Sequence, residues 1–130
     1  MSVRIKFDID FSLSETSAGS KELGLAPPWS GISDALDDGG TFRRRIAANA
    51  TDVVIDLNGL TTGRFLAIKT NKTISIKKNS AGGEPWTIRA IGTGATDGVW
   101  FCTTDGVTSL YVTNAGAEIA EVTFSFAGTI

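Results

Sequence analysis

Histidine is absent from the 130 residues. That removes Ser-His-Asp and Cys-His catalysis, histidine zinc sites and a histidine pH switch together. The single cysteine, Cys102, stands in Trp100-Phe101-Cys102, where it reads as a small buried hydrophobe. Carboxylates are the remaining candidates, because glycoside hydrolysis needs only two of them. Asp8 and Asp10 share the polar face of a strand, and Asp37 and Asp38 lie in a loop. Solvated surface acids account for both pairs, and no catalytic residue is assigned. Asp37-Asp38-Gly39-Gly40 and Asp97-Gly98 also carry oxygens of the kind a calcium ion takes, but EF-hand spacing is lacking. No metal and no other cofactor is expected.

Binding chemistry has three further candidates. Gly92-Thr93-Gly94-Ala95-Thr96-Asp97-Gly98 has the glycine content of a phosphate loop. It lacks the Lys-Ser/Thr ending and precedes a strand instead of a helix, so a turn explains it. Arg43-Arg44-Arg45 is the one basic cluster. In a strand Arg43 and Arg45 share a face and Arg44 takes the other, an arrangement suited to carboxylates inside the chain or across an interface. Trp29, Trp86 and Trp100 offer faces on which a sugar ring can stack. Core or subunit-interface packing is the plainer expectation for Trp86 and Trp100, which sit within apolar strands.

These residues are held by elements whose signal is period-two alternation. Val3, Ile5, Phe7, Ile9, Phe11 and Leu13 share one parity, while Arg4, Lys6, Asp8, Asp10, Ser12 and Ser14 take the other, which describes a half-buried strand. Residues 15–40 contain Gly19, Pro27-Pro28, Gly31 and Gly39-Gly40 and few periodic apolar positions. They read as a long loop or arm, with a short helical turn near Ile32–Leu36. Loops of this length are uncommon and often functional. Trp29, beside Pro27 and Pro28, is placed to anchor the arm on a neighbouring surface or on its own core.

From residue 41 strands and turns alternate at short intervals. Thr41–Ala48 carries the three arginines. Asp52–Leu57 sets Val53, Ile55 and Leu57 on one face and ends at the turn dipeptide Asn58-Gly59. Arg64–Thr70 and Thr73–Lys78 flank Asn71-Lys72, which reads as a tight hairpin turn. Pro85–Ile91, Val99–Thr103, Ser109–Thr113 and Glu118–Phe126 follow, the last with Ala120, Val122, Phe124 and Phe126 on one face. About eight or nine short strands with glycine-rich turns predict an all-β, antiparallel, jelly-roll-like sandwich with a long N-terminal arm. One domain over 1–130 is expected, with 41–130 as its main strand series.

Composition limits what such a domain does. Charged residues make up 20% and the net charge is −2, which supplies no general drive toward nucleic acid or anionic lipid. The longest apolar runs are far short of a membrane span, and MSVRIKFDIDF has no apolar core of a signal peptide. Synthesis in the cytoplasm is expected, and the sequons at Asn49 and Asn71 are then coincidental. The expectation is a non-enzymatic structural or binding module with no nucleic acid, membrane or small-molecule substrate as partner.

The stretches Arg64-Phe65-Leu66-Ala67-Ile68-Lys69-Thr70-Asn71, Ile74-Ser75-Ile76-Lys77, Leu110-Tyr111-Val112-Thr113-Asn114 and Ala120-Glu121-Val122-Thr123-Phe124 resemble small β-sandwich virion proteins of tailed bacteriophages. Such chains often carry a hairpin of the first type, a strand ending in Asn before Gly or Ala (here Asn114-Ala115-Gly116), and a final apolar strand. The resemblance covers roughly residues 50–130 and is a pattern of strands without a diagnostic motif. It implies a capsid decoration (cement) protein, a head fibre or a small tail component, frequently trimeric, at the virion surface. On that reading the partners are the major capsid protein and copies of this chain. The arm then contributes Pro27, Pro28 and Trp29 to the contact, together with Arg43, Arg44 and Arg45. A tail or fibre module binding a host-surface glycan or receptor is the alternative.

Overall fold

The computed structural model describes residues 4, 6–9, 29–32, 36–57, 59–90 and 98–130, and ten strands and no helix form among them. The strands are β1 (Lys6–Ile9), β2 (Trp29–Ile32), β3 (Asp38–Ile46), β4 (Ala50–Ile55), β5 (Thr62–Thr70), β6 (Ile74–Lys78), β7 (Trp86–Ile88), β8 (Gly98–Val107), β9 (Leu110–Asn114) and β10 (Ala120–Thr129). The chain divides into two compact units, one of residues 4–35 and the other of residues 1–3 and 36–130.

In the smaller unit β1 pairs antiparallel with β2, Lys6 opposite Ile32 and Ile9 opposite Trp29. The rest of the expected Val3–Leu13 strand lies outside the described residues, apart from Arg4. So do residues 10–28 and 33–35, with Pro27, Pro28 and most of the expected arm and its helical turn. Two parts of the 15–40 stretch are strand, not loop: Trp29–Ile32, and Asp38–Gly40 at the start of β3. Gly39 and Gly40 read as breakers, but a Cβ at Gly39 would stand 2.7 Å from Phe126 O, so a glycine is what lets β3 lie against β10.

The larger unit is an antiparallel sandwich of two four-stranded sheets, ordered β3-β10-β5-β8 and β4-β9-β6-β7. The expected all-β class and its sandwich arrangement are therefore present. The pairs β3/β10, β4/β9, β5/β8 and β6/β7 are those of one long hairpin folded at the β6–β7 turn. Rolling that hairpin brings β10 beside β5 and β9 beside β6 and completes the two sheets. This is the order of an eight-stranded jelly roll. It corrects one expectation, because β5 and β6 belong to opposite sheets and Asn71-Lys72 carries the chain between them instead of closing a hairpin. Thr70, fully buried, holds that passage: its hydroxyl donates to Lys72 O at 2.6 Å.

Alternation places one side chain in two between the sheets. Leu66, Ile68, Val122, Phe124 and Phe126 face Ile55, Ile74, Ile76, Leu110 and Val112, all buried in one cluster. Each such burial contributes roughly 1.5–3 kcal/mol. Phe42 stacks on Phe124 at 5.2 Å and meets Phe126 edge-on at 5.5 Å. At the far end of β10 a Cβ on Gly128 would lie 2.0 Å from Thr62 O, where the β10–β5 register shifts between Ala127 and Gly128. Only glycine allows the strands to approach so closely there.

Candidate functional site

The three arginines lie on β3, an outer strand of its sheet. Cross-strand partners share a face, so the register assigns Arg43 (opposite Thr123) and Arg45 (opposite Glu121) to the outer face, and Arg44 (opposite Val122) to the inner one. That is the division read from their spacing. Arg45 Nε lies 4.0 Å from Glu121, with both side chains more than half exposed, a contact of little energetic weight. Arg43 and Lys69 flank Thr123 in a polar notch of about 150 Å³ that Asn71 and Glu121 also line. Arg44 turns across the mouth of the sandwich and donates from Nη1 to Val54 O of β4 at 2.9 Å.

Next to Arg44 along the inner face the packing is open. Gly40 lies opposite Phe126 on an inward position, yet a Cβ there would meet nothing within 4 Å. A cleft of about 300 Å³ occupies that space, lined by Gly40, Thr41, Phe42, Asp56 and Phe126. Phe42 and Phe126 give the lining its apolar part, and the exposed Asp56 is its one acidic residue. Sequence reasoning did not find this cleft. The one signal available was a glycine at an inward parity position, and it reads equally well as a turn residue.

Trp29 belongs to β2 of the smaller unit and the arginines to the larger one, while Pro27 and Pro28 lie outside the described residues. Trp100 is partly buried against the core. Trp86 is 49% exposed, which corrects the core half of the core-or-subunit-interface expectation. It begins a three-residue outer strand, and only Ile88 of that strand reaches beneath the facing sheet. Lys78 Nζ stands 5.7 Å from the centre of its ring, within cation–π range. Cys102 lies in β8 opposite Leu66.

Among the carboxylates, Asp37 accepts from Ile130 N at 3.1 Å and Asp38 from Gly39 N at 2.8 Å. Both tie backbone at the start of β3. Asp10 and Asp97 lie outside the described residues. No cluster of three acidic or cysteine side chains suited to a metal forms among the described residues. Gly98 opens β8, so the glycine-rich segment does run into a strand.

Two polar centres are structural. Asn114 is fully buried; its Nδ2 donates to Ile46 O, Ala47 O and Glu118 O at 3.2, 3.2 and 2.8 Å, and its Oδ1 accepts from Gly116 N. It joins the end of β3 to the β9–β10 turn. Asp52, with φ of 50° at a bulge in β4, accepts from Lys77 Nζ at 3.0 Å and from the Thr113 hydroxyl. Near Asn114, Lys72 meets Glu118 at 2.8 Å, and its hydrogen bond and positive charge hold the Glu118 carboxyl below the usual range.

Comparison with family models, with curated proteins and with solved structures finds no match for this chain.

Proposed function

We propose that this chain is a non-enzymatic structural protein of a tailed-phage virion, made in the host cytoplasm. Its role is that of a capsid decoration (cement) protein, acting as a homotrimer on the major capsid protein. One observation carries the reading: residues 38–129 follow the rolled-hairpin order of the eight-stranded jelly roll, an architecture used by viral coat and lectin domains. The strand-pattern resemblance of residues 50–130 selects the virion role among the functions that this fold carries. A module of this kind works by burying surface between capsomers, and needs no reacting group. Light scattering should give three times the chain mass. The protein should also co-sediment with shells of its own phage's major capsid protein and raise the temperature at which they open. A chain that stays monomeric and leaves shells unbound and unprotected refutes the reading.

The half-exposed Trp86 beside Lys78 favours the second reading, a tail or fibre module for a host-surface glycan. A sugar stacked on that ring should change tryptophan fluorescence, and Trp86→Ala should abolish the change. An unresponsive glycan panel removes this alternative.

A further inference from the structure

β3 is bounded by β10 on one side and, among the described residues, by no strand on the other. An outer strand presents unpaired backbone N–H and C=O groups to any extended chain that reaches it. Along β3 protection is uneven. At residue 44 the inward arginine is tied to Val54 O and closes the mouth. At residue 40 the inward position carries no side chain and opens on a cleft of about 300 Å³. On the outer face Arg43 and Arg45 present two cations two residues apart, and among the described residues no carboxylate pairs with Arg43. Glu121, at 4.0 Å, holds Arg45 only loosely.

We propose that the open edge of β3 is the docking site for an extended, acidic segment of a partner protein, laid down as an additional strand. Main-chain pairing of this kind supplies affinity, and pockets for alternate side chains supply specificity. Residues opposite one another on neighbouring strands share a face. The segment's residue opposite Gly40 therefore points into the cleft, and those opposite Arg43 and Arg45 point outward. The offsets are odd, 43 − 40 = 3 and 45 − 40 = 5, so one anchor points inward and two outward. The cleft suits a tyrosine or tryptophan: Phe42 and Phe126 meet the ring, and Asp56 accepts its O–H or N–H. Asp56 already has an interaction within the chain, but a carboxylate accepts at about four positions. The two guanidinium groups suit carboxylates. A second copy meeting this edge through its own β3 brings two Arg43–Arg45 runs together, so charge complementarity selects an acidic partner. This inference holds wherever the protein works and does not depend on a virion role.

The test uses the full chain and fluorescein-labelled ten-residue peptides of serine and threonine. Each carries one tyrosine and, three and five places away, two aspartates; both chain orders are made because the strand is free to pair either way. Anisotropy should show one order binding, and exchanging its aspartates for lysines should weaken it about tenfold or more, as loss of two charge pairs at an interface does. N-methylation along one edge of that peptide should abolish binding, and along the other should leave it. The double variant Arg43→Glu, Arg45→Glu should reverse the preference toward the lysine peptide. Gly40→Leu fills the cleft and should weaken binding about tenfold or more without altering the charge preference; circular dichroism confirms that both variants fold. If neither order binds, or if binding ignores the charge reversal or the filled cleft, the proposal is wrong.

Discussion

β10 and β3 run side by side in one unbroken register, and they form opposite kinds of surface. Inward along β10 come Ala120, Val122, Phe124 and Phe126, none more than 4% exposed. Their partners on β3 are Ile46, Arg44, Phe42 and Gly40: one buried residue, one guanidinium, one half-buried ring and one empty position. The two strands share alternation and sheet. They differ in having two neighbouring strands or, among the described residues, one. β10 lies between β3 and β5, so its inward side chains are covered from both sides. Among the described residues β3 has a strand on one side only, and its inward Gly40 fronts an open cleft. Which face a residue takes is a local matter, while whether that face is closed depends on neighbours brought from far along the chain.

Substitutions at matched positions test this contrast. Phe124→Ala should cost about 3–5 kcal/mol in urea unfolding, and its stacked partner Phe42→Ala roughly 1–2; equal losses would make β3 as much core as β10. Asn114→Ala strips two backbone carbonyls where β3 ends, and a third in the β9–β10 turn, of their partner. It should lower stability by about 3 kcal/mol, more than any single arginine of β3. Gly128→Ala forces a methyl onto Thr62 O and should cost about 2 kcal/mol, whereas Gly40→Ala should stay within roughly 0.5. A strong loss at Gly40 would show that the cleft is closed in solution.

The smallest expected effect is electrostatic. Glu118 titrates below the usual carboxylate range because Lys72 donates to it and carries the opposite charge. Since the folded value is depressed, the pair's contribution is present above the unfolded carboxyl's range and is lost as pH falls through the folded one. In Lys72→Ala, NMR should find the Glu118 midpoint back in the ordinary range. An unmoved midpoint removes this contact from the account.

Much of the fold is legible along the chain because strands announce themselves locally. Val122, Phe124 and Phe126 alternate with Glu121, Thr123 and Ser125, and the structure buries the first three. Val53, Ile55 and Leu57 fall on one inward face as their spacing requires. Arg43 and Arg45 part from Arg44 for the same reason. Turn chemistry is a weaker guide. Asn71-Lys72 has hairpin residues, but the β5–β6 passage changes sheets, and a dipeptide carries no information about which sheet receives the next strand. Trp86 has the alternation of a core residue and lies half exposed, because β7 is short and outermost.

The sequence by itself determined the class, the alternating faces and the poverty of histidine and cysteine chemistry, since these depend on residue type and on a two-residue period. Only the tertiary structure decided which strands are outermost, that Asn114 binds a strand end 68 residues earlier, and that Gly40 fronts a cleft instead of a turn. Each of these depends on rolling one long hairpin, and so on which distant segments come to lie beside a given residue. Local alternation is the same before and after that roll, which is why it could not report them.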